Sequence, residues 1–294
     1  QLLYITHSIF TAFEDFPSRE TRAVFLDISK AFDKVWHDGL IFKLKNYGIT
    51  GPLLSLIESY LSNRKQRVVL NGKSSQWSEI TAGVPQGSVL GPLFFLIYIN
   101  DLVDNISSEA KLFADDTSLF TVVYNEEIAA HQLNNDLKII SEWAYQWKMQ
   151  FNPDPTKQAI QVIFSQKKIK PNHPPLYFNE SLVTIREEQK HIGMILDSNL
   201  NFHNHVREKI ASARRGIGVI RYLSKYVTRD VLDQMYKLYL RPHLDYGDII
   251  YHKHDPDMNL EFTKKLEATQ YSAALAVSGA WRGTNKSKLY EELG

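Results

Sequence analysis

The sequence predicts an α+β protein: an antiparallel sheet in β-α-β-β-α-β order with helices on one face, followed by a mainly helical region. Three observations carry this. Ala23 to Leu26 is an unbroken apolar run, as in a buried strand, and it ends on Asp27. Lys111 to Val123 holds two β-prone runs separated by Ala114, Asp115 and Asp116, which reads as strand, tight turn and returning strand. Leu133, Leu137, Ile140, Trp143, Ala144 and Trp147 recur at helical spacing, as do Val206, Ile210, Ala213, Ile217 and Ile220 further on.

Taken in order, residues 2–16 carry Leu3, Ile5, Ile9, Phe10 and Phe13 at near-helical spacing, and Pro17-Ser18 ends that helix. After the Asp27 strand, Ser29 is a plausible N-cap for a helix striped with Ala31, Phe32, Val35 and Trp36. Leu40 to Ser62 is helical in pattern, broken at Gly48 to Pro52. Residues 64–81 alternate around Asn71-Gly72, a strong hairpin signal, and carry Arg64, Lys65, Arg67 and Lys73. Those cations suit a phosphate grip or, equally simply, a solvated hairpin. Gly83 to Ser88 is a loop before a helix from Val89 to Leu102. A helix at 125–149, a Pro-marked loop with Lys157 and a strand from Ile160 to Phe164 follow. The basic, Pro-containing stretch 167–175 reads as a connector. Short strands at Leu176–Phe178, Leu182–Ile185 and His191–Leu196 precede helices from Asn201, near 228–241 and near 259–278.

The chemistry concentrates on acids. Two unpaired carboxylates about 4 Å apart repel by roughly 4 kcal/mol at an effective dielectric near 20, so a fold that keeps such a pair usually supplies a cation. An Asp-Asp turn can also be an ordinary solvated turn, where Asp hydrogen-bonds locally. What favours a cation is Asp27, a third acid that is costly at the end of a buried strand unless it is hydrogen-bonded or metal-bound.

The chain has 294 residues, no Cys and a formal net charge of +1, which excludes disulfides and Cys-ligated zinc. No apolar run is long enough to span a bilayer. The near-neutral total hides a polarity: residues 100–150 hold nine acids against three Lys or Arg, whereas residues 201–241 hold nine Lys or Arg against three acids. That suits a metal site beside a polyanion-binding surface, and also two ordinary charged faces. Arg207, Arg214 and Arg221 follow the buried stripe of their helix one position later, a row that fits a phosphate backbone or a solvated helix edge. His203, His205, His252 and His254 form two His-x-His pairs, a residue type that zinc uses, without further ligands in register.

AVFLDISKAFDKVWHDGL, GVPQGSVLGPLFFLIYINDL and KLFADDTSLF occur in the order and spacing of polymerase motifs A, B and C. NPDPTKQAIQVIFS resembles motif D, and KHIGMILDSNLNFHNHV resembles the primer-grip motif E. Over nearly its whole length the chain resembles a reverse transcriptase of a non-LTR, LINE-type, jockey-like retrotransposon. The resemblance implies a right-hand polymerase lacking most of its fingers: a ferredoxin-like palm with residual fingers elements over 1–166, primer-grip strands over 167–200 and a helical thumb-like region over 201–294. It implies two Mg²⁺ ions, for which Mn²⁺ can substitute, bridged by Asp27 and Asp115, with Asp116 and the Ile28 carbonyl as further oxygen ligands. One ion would activate the primer 3′-hydroxyl and the other would stabilise the departing pyrophosphate. Phe32 would exclude a 2′-hydroxyl, Gln86 and Gly87 would line the nascent base pair, and Lys157 would protonate pyrophosphate. Arg207, Arg214 and Arg221 would contact the duplex backbone. The implied partners are an RNA template, a DNA primer and deoxynucleoside triphosphates, without a membrane, and the implied location is the nucleus. The resemblance places further fingers motifs before Gln1 and an endonuclease domain upstream. The alternative is an inactive, nucleic-acid-binding remnant of such an element.

Overall fold

In a computed structural model, which describes residues 1–169, 171–251 and 256–293, the chain is organised around one strand. β1 (Glu20–Asp27) is buried at every position except its last. Val24 and Leu26 on one face join a core with Leu119, Leu133, Leu137 and Ile140, while Phe25 on the other lies 5.0 Å from the ring of His191. The Ala23–Leu26 half of the strand, covered on both faces, has no use for polar alternation and reads as a continuous apolar run, whereas Glu20, Thr21 and Arg22 are buried polar residues.

β1 pairs antiparallel with β7 (Asp116–Val123) on one side and with β8 (Ala159–Phe164) on the other. β6 (Glu109–Phe113) pairs antiparallel with β7 and forms one edge. The other edge departs from an all-antiparallel sheet: β11 (Thr184–Ile185) runs parallel to β8. The chain leaving β8 passes through the hairpin β9 (Tyr177–Phe178) and β10 (Ser181–Leu182) before it returns, so it re-enters in the same direction.

Between β1 and β6 lie α2 (His37–Asn46), α3 (Gly51–Leu61), the arm β2 (Arg64–Gln66), β3 (Val69–Leu70), β4 (Lys73–Ser74) and β5 (Ser78–Ile80), and α4 (Leu90–Ile99). The buried Lys43 ties this region together. Its Nζ donates to the Tyr98 carbonyl at 2.6 Å, pairs with Asp101 and lies 3.7 Å from the centre of the Trp147 ring. α5 (Glu126–Gln146) is capped by the Asn125 side chain, which accepts from Ile128 N at 3.0 Å, and buries Leu133, Leu137, Ile140, Trp143 and Ala144.

Two sequence expectations change in detail. The helix expected from Ser29 is only a 3₁₀ turn at Ala31–Asp33. Lys30 takes a left-handed φ of 50°, and the carbonyls of Phe32 and Val35 accept from Val84 N and Gly83 N at 2.8 Å rather than from the next helical turn. The strand expected over 191–196 is interrupted at Ile192 and Gly193, both at positive φ. Glu188–His191 (β12) and Met194–Asp197 (β13) lie on either side of the break.

The chain divides into two compact units, one of Gln1 and Ser8–Ile192, the other of Leu2–His7 and Gly193–Gly294. α1 (Leu2–Glu14) contributes to both. In the second unit α7 (His203–Leu223) buries Ala213, Ile217 and Ile220 against Leu232, Tyr236, Leu240, Ala273, Ala274 and Val277. These partners come from α8 (Arg229–Met235), a π-helical stretch Tyr236–Leu240, and the long helix Pro256–Ser278. The π-helical stretch stands just before Pro242, which has no N–H to give to a regular helix.

Candidate active site

The two halves of the acid constellation meet at one end of the central sheet. Asp27, the last residue of β1, is the register partner of Asp116, the first residue of β7. Asp115 precedes it in the two-residue turn, where Ala114 takes φ 51°. Phe113 and Asp116 close that turn as partners. The Asp116 carboxyl pKa is raised, first by the partial desolvation of its position and then by repulsion from Asp115 and Asp27. Asp116 therefore feels both other acids, one in its own turn and one on the neighbouring strand.

Asp27 has a second set of ties. Asn152 Nδ2 donates to its Oδ2 at 2.7 Å, and Asn152 N donates to its carbonyl at 2.8 Å. Ser29 N donates to the Gln150 carbonyl at 2.8 Å, making an antiparallel bridge between Ile28 and Phe151. Neither bond of that bridge uses the Ile28 carbonyl. Asn152 Oδ1 in turn accepts from Asp154 N at 3.0 Å, and Asp154 caps α6 (Pro155–Gln158), the short helix that carries Lys157. Asn152 was not singled out by the sequence. Its only sign there is its place in a Pro-marked loop, and the link to Asp27 spans a separation of 125 residues.

A cavity of about 260 Å³ opens beside these acids. It is lined by Asp27, Asp116, Lys157, Arg186, Lys190 and His191, among others. Basic groups thus face two carboxylates across a small space, although Lys157 Nζ also pairs with Asp154 at 3.3 Å. Arg186 supports the same corner by donating to the Thr156 carbonyl at 3.3 Å.

The donor chemistry suits a hard divalent cation: three carboxylates and a backbone carbonyl, all oxygen. Among the described residues, however, no three His, Asp or Glu side chains are drawn together as a ready-made metal cage. The Asp116 carboxyl is repelled by both Asp115 and Asp27.

Phe32 is half-buried and stacks on Phe95, with ring centroids 4.5 Å apart. Gln86 is exposed, and its Nε2 donates to Asp33 Oδ1 at 2.8 Å. With the bonds from Gly83 and Val84, this laces the loop to the turn after β1. Gly83 is held tightly there: a Cβ would lie 2.8 Å from the Asp33 carbonyl oxygen, at φ 91°. Gly87 faces open space, so its φ of 78°, rather than crowding within the chain, is what calls for glycine.

Arg207, Arg214 and Arg221 belong to the second unit and are exposed along α7. Arg207 and Arg214 line a groove of about 350 Å³ with Glu261, Phe262 and Lys265, so part of the row has acidic and apolar neighbours. Of the zinc alternative, His203 packs edge-on to Phe262 at 4.7 Å, and the buried His205 accepts from Ile195 N at 3.3 Å. His252 and His254 lie outside the described residues.

Residues 7–198 match the family described as reverse transcriptase (RNA-dependent DNA polymerase), and the chain belongs to that family. Within it the similarity runs to the jockey-like, non-LTR branch. The chain is 31% identical over its full length to a probable RNA-directed DNA polymerase from transposon X-element of Drosophila melanogaster, covering 32% of that protein. It is 33% identical, over 77% of its length, to the RNA-directed DNA polymerase from mobile element jockey of Drosophila funebris, covering 25% of it. The chain thus spans a third or less of these relatives. Among solved structures, a telomerase from Candida albicans in complex with a TWJ fragment of telomeric RNA aligns over 98% of this chain and 49% of its own, with 13% identity and a TM-score of 0.44. Reverse transcriptases generally work with divalent metal ions. No helix among the described residues is long and apolar enough to cross a membrane.

Proposed function

We propose that this chain is the catalytic core of an RNA-directed DNA polymerase that extends a DNA 3′-hydroxyl along an RNA template. The observation that carries the reading is the register of Asp27 against Asp116, with Asp115 beside it, at one sheet end. Asp27, Asp115, Asp116 and the Ile28 carbonyl would hold two Mg²⁺ ions, or Mn²⁺ in their place. When bound, the ions supply the charge that lowers the barrier to in-line phosphoryl displacement. Asn152 holds the Asp27 carboxylate in one orientation, which lowers the ordering cost of assembling the site. Phe32, fixed by its stack on Phe95, presents a rigid ring that selects deoxynucleotides by a clash at the 2′ position rather than by an added attraction. Gln86 and Gly87 border the nascent base pair. Lys157, which lines the cavity beside Asp27 and Asp116, would give a proton to the pyrophosphate oxygen. The Arg207, Arg214 and Arg221 row would take the duplex backbone, and the reading places the reaction in the nucleus.

The test is primer extension by the complete protein. Asp27→Asn and Asp115→Asn are each expected to abolish extension while primer–template binding persists. Wild-type extension in either variant would overturn the metal assignment. Salt-sensitive binding without extension by the wild-type protein would favour the inactive remnant instead.

A further inference from the structure

Lys157 lines the cavity that holds Asp27 and Asp116, yet its ammonium pairs with Asp154 Oδ2 at 3.3 Å, and Asp154 is not part of that cavity's lining. Several bonds fix Asp154 in this position. Its Oδ1 serves its own short helix, accepting from Thr156 N at 3.0 Å and from Thr156 Oγ1 at 2.7 Å. The other oxygen, Oδ2, faces Lys157. The Asp154 carbonyl accepts from Lys157 N and Gln158 N at 2.9 and 3.1 Å, and Pro155 sets the first turn of α6. Asp154 N donates to Asn152 Oδ1, and Asn152 Nδ2 donates to Asp27 Oδ2. The acid that holds Lys157 is thus tied through one residue to the acid at the end of β1. Hydrogen bonds from the Thr156 side chain and backbone, and then Lys157, hold the Asp154 carboxyl below the usual carboxylate range, so it is a charged partner near neutral pH.

The carboxylate is fixed, but its contact with Lys157 is exchangeable. The Lys157 and Asp154 side chains are 59% and 41% exposed, and an exposed ion pair contributes little, so a more highly charged anion displaces the carboxylate readily. A lysine ammonium is also a point charge on a flexible stem, without the fork geometry that would bind it to one carboxylate. A pyrophosphate oxygen in the cavity draws Lys157 away from Asp154, and Asp154 takes it back as the anion departs. We propose that Asp154 is a positioning residue that competes with pyrophosphate for Lys157 and so promotes release of that product. This rests on the reading of Lys157 as the residue that meets pyrophosphate. The competing account makes Asp154 only the cap of α6, with its contact to Lys157 of no consequence to the reaction.

The test titrates the full chain with inorganic pyrophosphate in the presence of Mg²⁺, followed by isothermal titration calorimetry, and needs no turnover. Asp154→Asn removes the charge and keeps an oxygen for Thr156, because Asn caps a helix as well as Asp does. It is expected to bind pyrophosphate about 3-fold more tightly than the wild type. Lys157→Ala is expected to bind it about 10-fold more weakly. Adding Asp154→Asn to Lys157→Ala should change nothing further, since the competition needs both partners. In primer extension by the complete protein, pyrophosphate should inhibit Asp154→Asn at about 3-fold lower concentration than the wild type. Equal or weaker pyrophosphate binding by Asp154→Asn, with Lys157→Ala still weakened, would overturn the proposal and leave the role of Lys157 standing. The same gain from Asp154→Asn in the Lys157→Ala background would also overturn it, as a general effect of removing a negative charge. Wild-type binding by Lys157→Ala would remove both readings. Circular dichroism melting of each variant separates these outcomes from misfolding.

Discussion

At the scale of single residues, the orientation of Asp27 depends on Asn152. Its side chain and backbone both bond to Asp27, at 2.7 and 2.8 Å. A hydrogen bond to a charged group contributes about 1.5–3 kcal/mol, so Asn152→Ala should raise the divalent-metal concentration needed for half-maximal extension by about 10-fold. The deficit should close at saturating metal. A lower maximal rate with unchanged metal dependence would show that Asn152 acts elsewhere. The acids were legible as candidates because Asp27 ends a buried apolar strand, where a carboxylate is costly unless hydrogen-bonded or metal-bound; the adjacent Asp pair alone reads equally as an ordinary turn. Asn152 was not, because nothing local distinguishes a loop Asn that bonds its own turn from one that bonds a strand far along the chain.

At the scale of elements, the turn after β1 and the loop after β5 behave as one unit, laced through Phe32, Val35, Gly83, Val84 and the Asp33–Gln86 hydrogen bond. Gly83→Ala combines left-handed strain with a Cβ 2.8 Å from the Asp33 carbonyl oxygen. It should destabilise the protein by about 2–4 kcal/mol in urea unfolding. A loss below about 1 kcal/mol would mean the loop relaxes freely and does not position Gln86. The same lacing explains the failure of the expected helix from Ser29. The apolar spacing of Ala31, Phe32, Val35 and Trp36 is helical, but two of the carbonyls needed for that helix are taken by a loop some fifty residues later. Periodicity reports which side chains are buried and is blind to such competition. Where no distant backbone intervenes, as in α5 and α7, the stripes read from the sequence are the buried faces. The parallel edge strand β11 was also beyond reach, since two residues carry no periodicity.

At the scale of the whole molecule, burial of a titratable group gives the fold an acid limit. Burial lowers the His191 pKa to about 4, with a smaller contribution from the chain N-terminus. Its folded pKa is below the unfolded value of 6.5, so as pH falls below about 6.5 the unfolded chain takes up a proton that the folded chain refuses. Stability is complete above that range and is lost progressively toward pH 4. Thermal melting of His191→Gln should show a shallower fall in Tm between pH 6.5 and 4 than the wild type; parallel curves would contradict the assignment. The charge polarity seen along the sequence is also molecular in scale, with the acid-rich stretch in the first unit and the Arg row in the second.

Asp27, Asp115 and Asp116 are proposed to form one divalent-cation site. Titration of the protein with Mn²⁺, followed by electron paramagnetic resonance of the free ion, tests it without depending on turnover. The wild type should take up Mn²⁺ stoichiometrically, with affinity falling as pH drops into the range where the raised Asp116 carboxyl takes a proton, and Asp115→Asn should lose that uptake. Equal Mn²⁺ uptake by the wild type and Asp115→Asn would contradict the account.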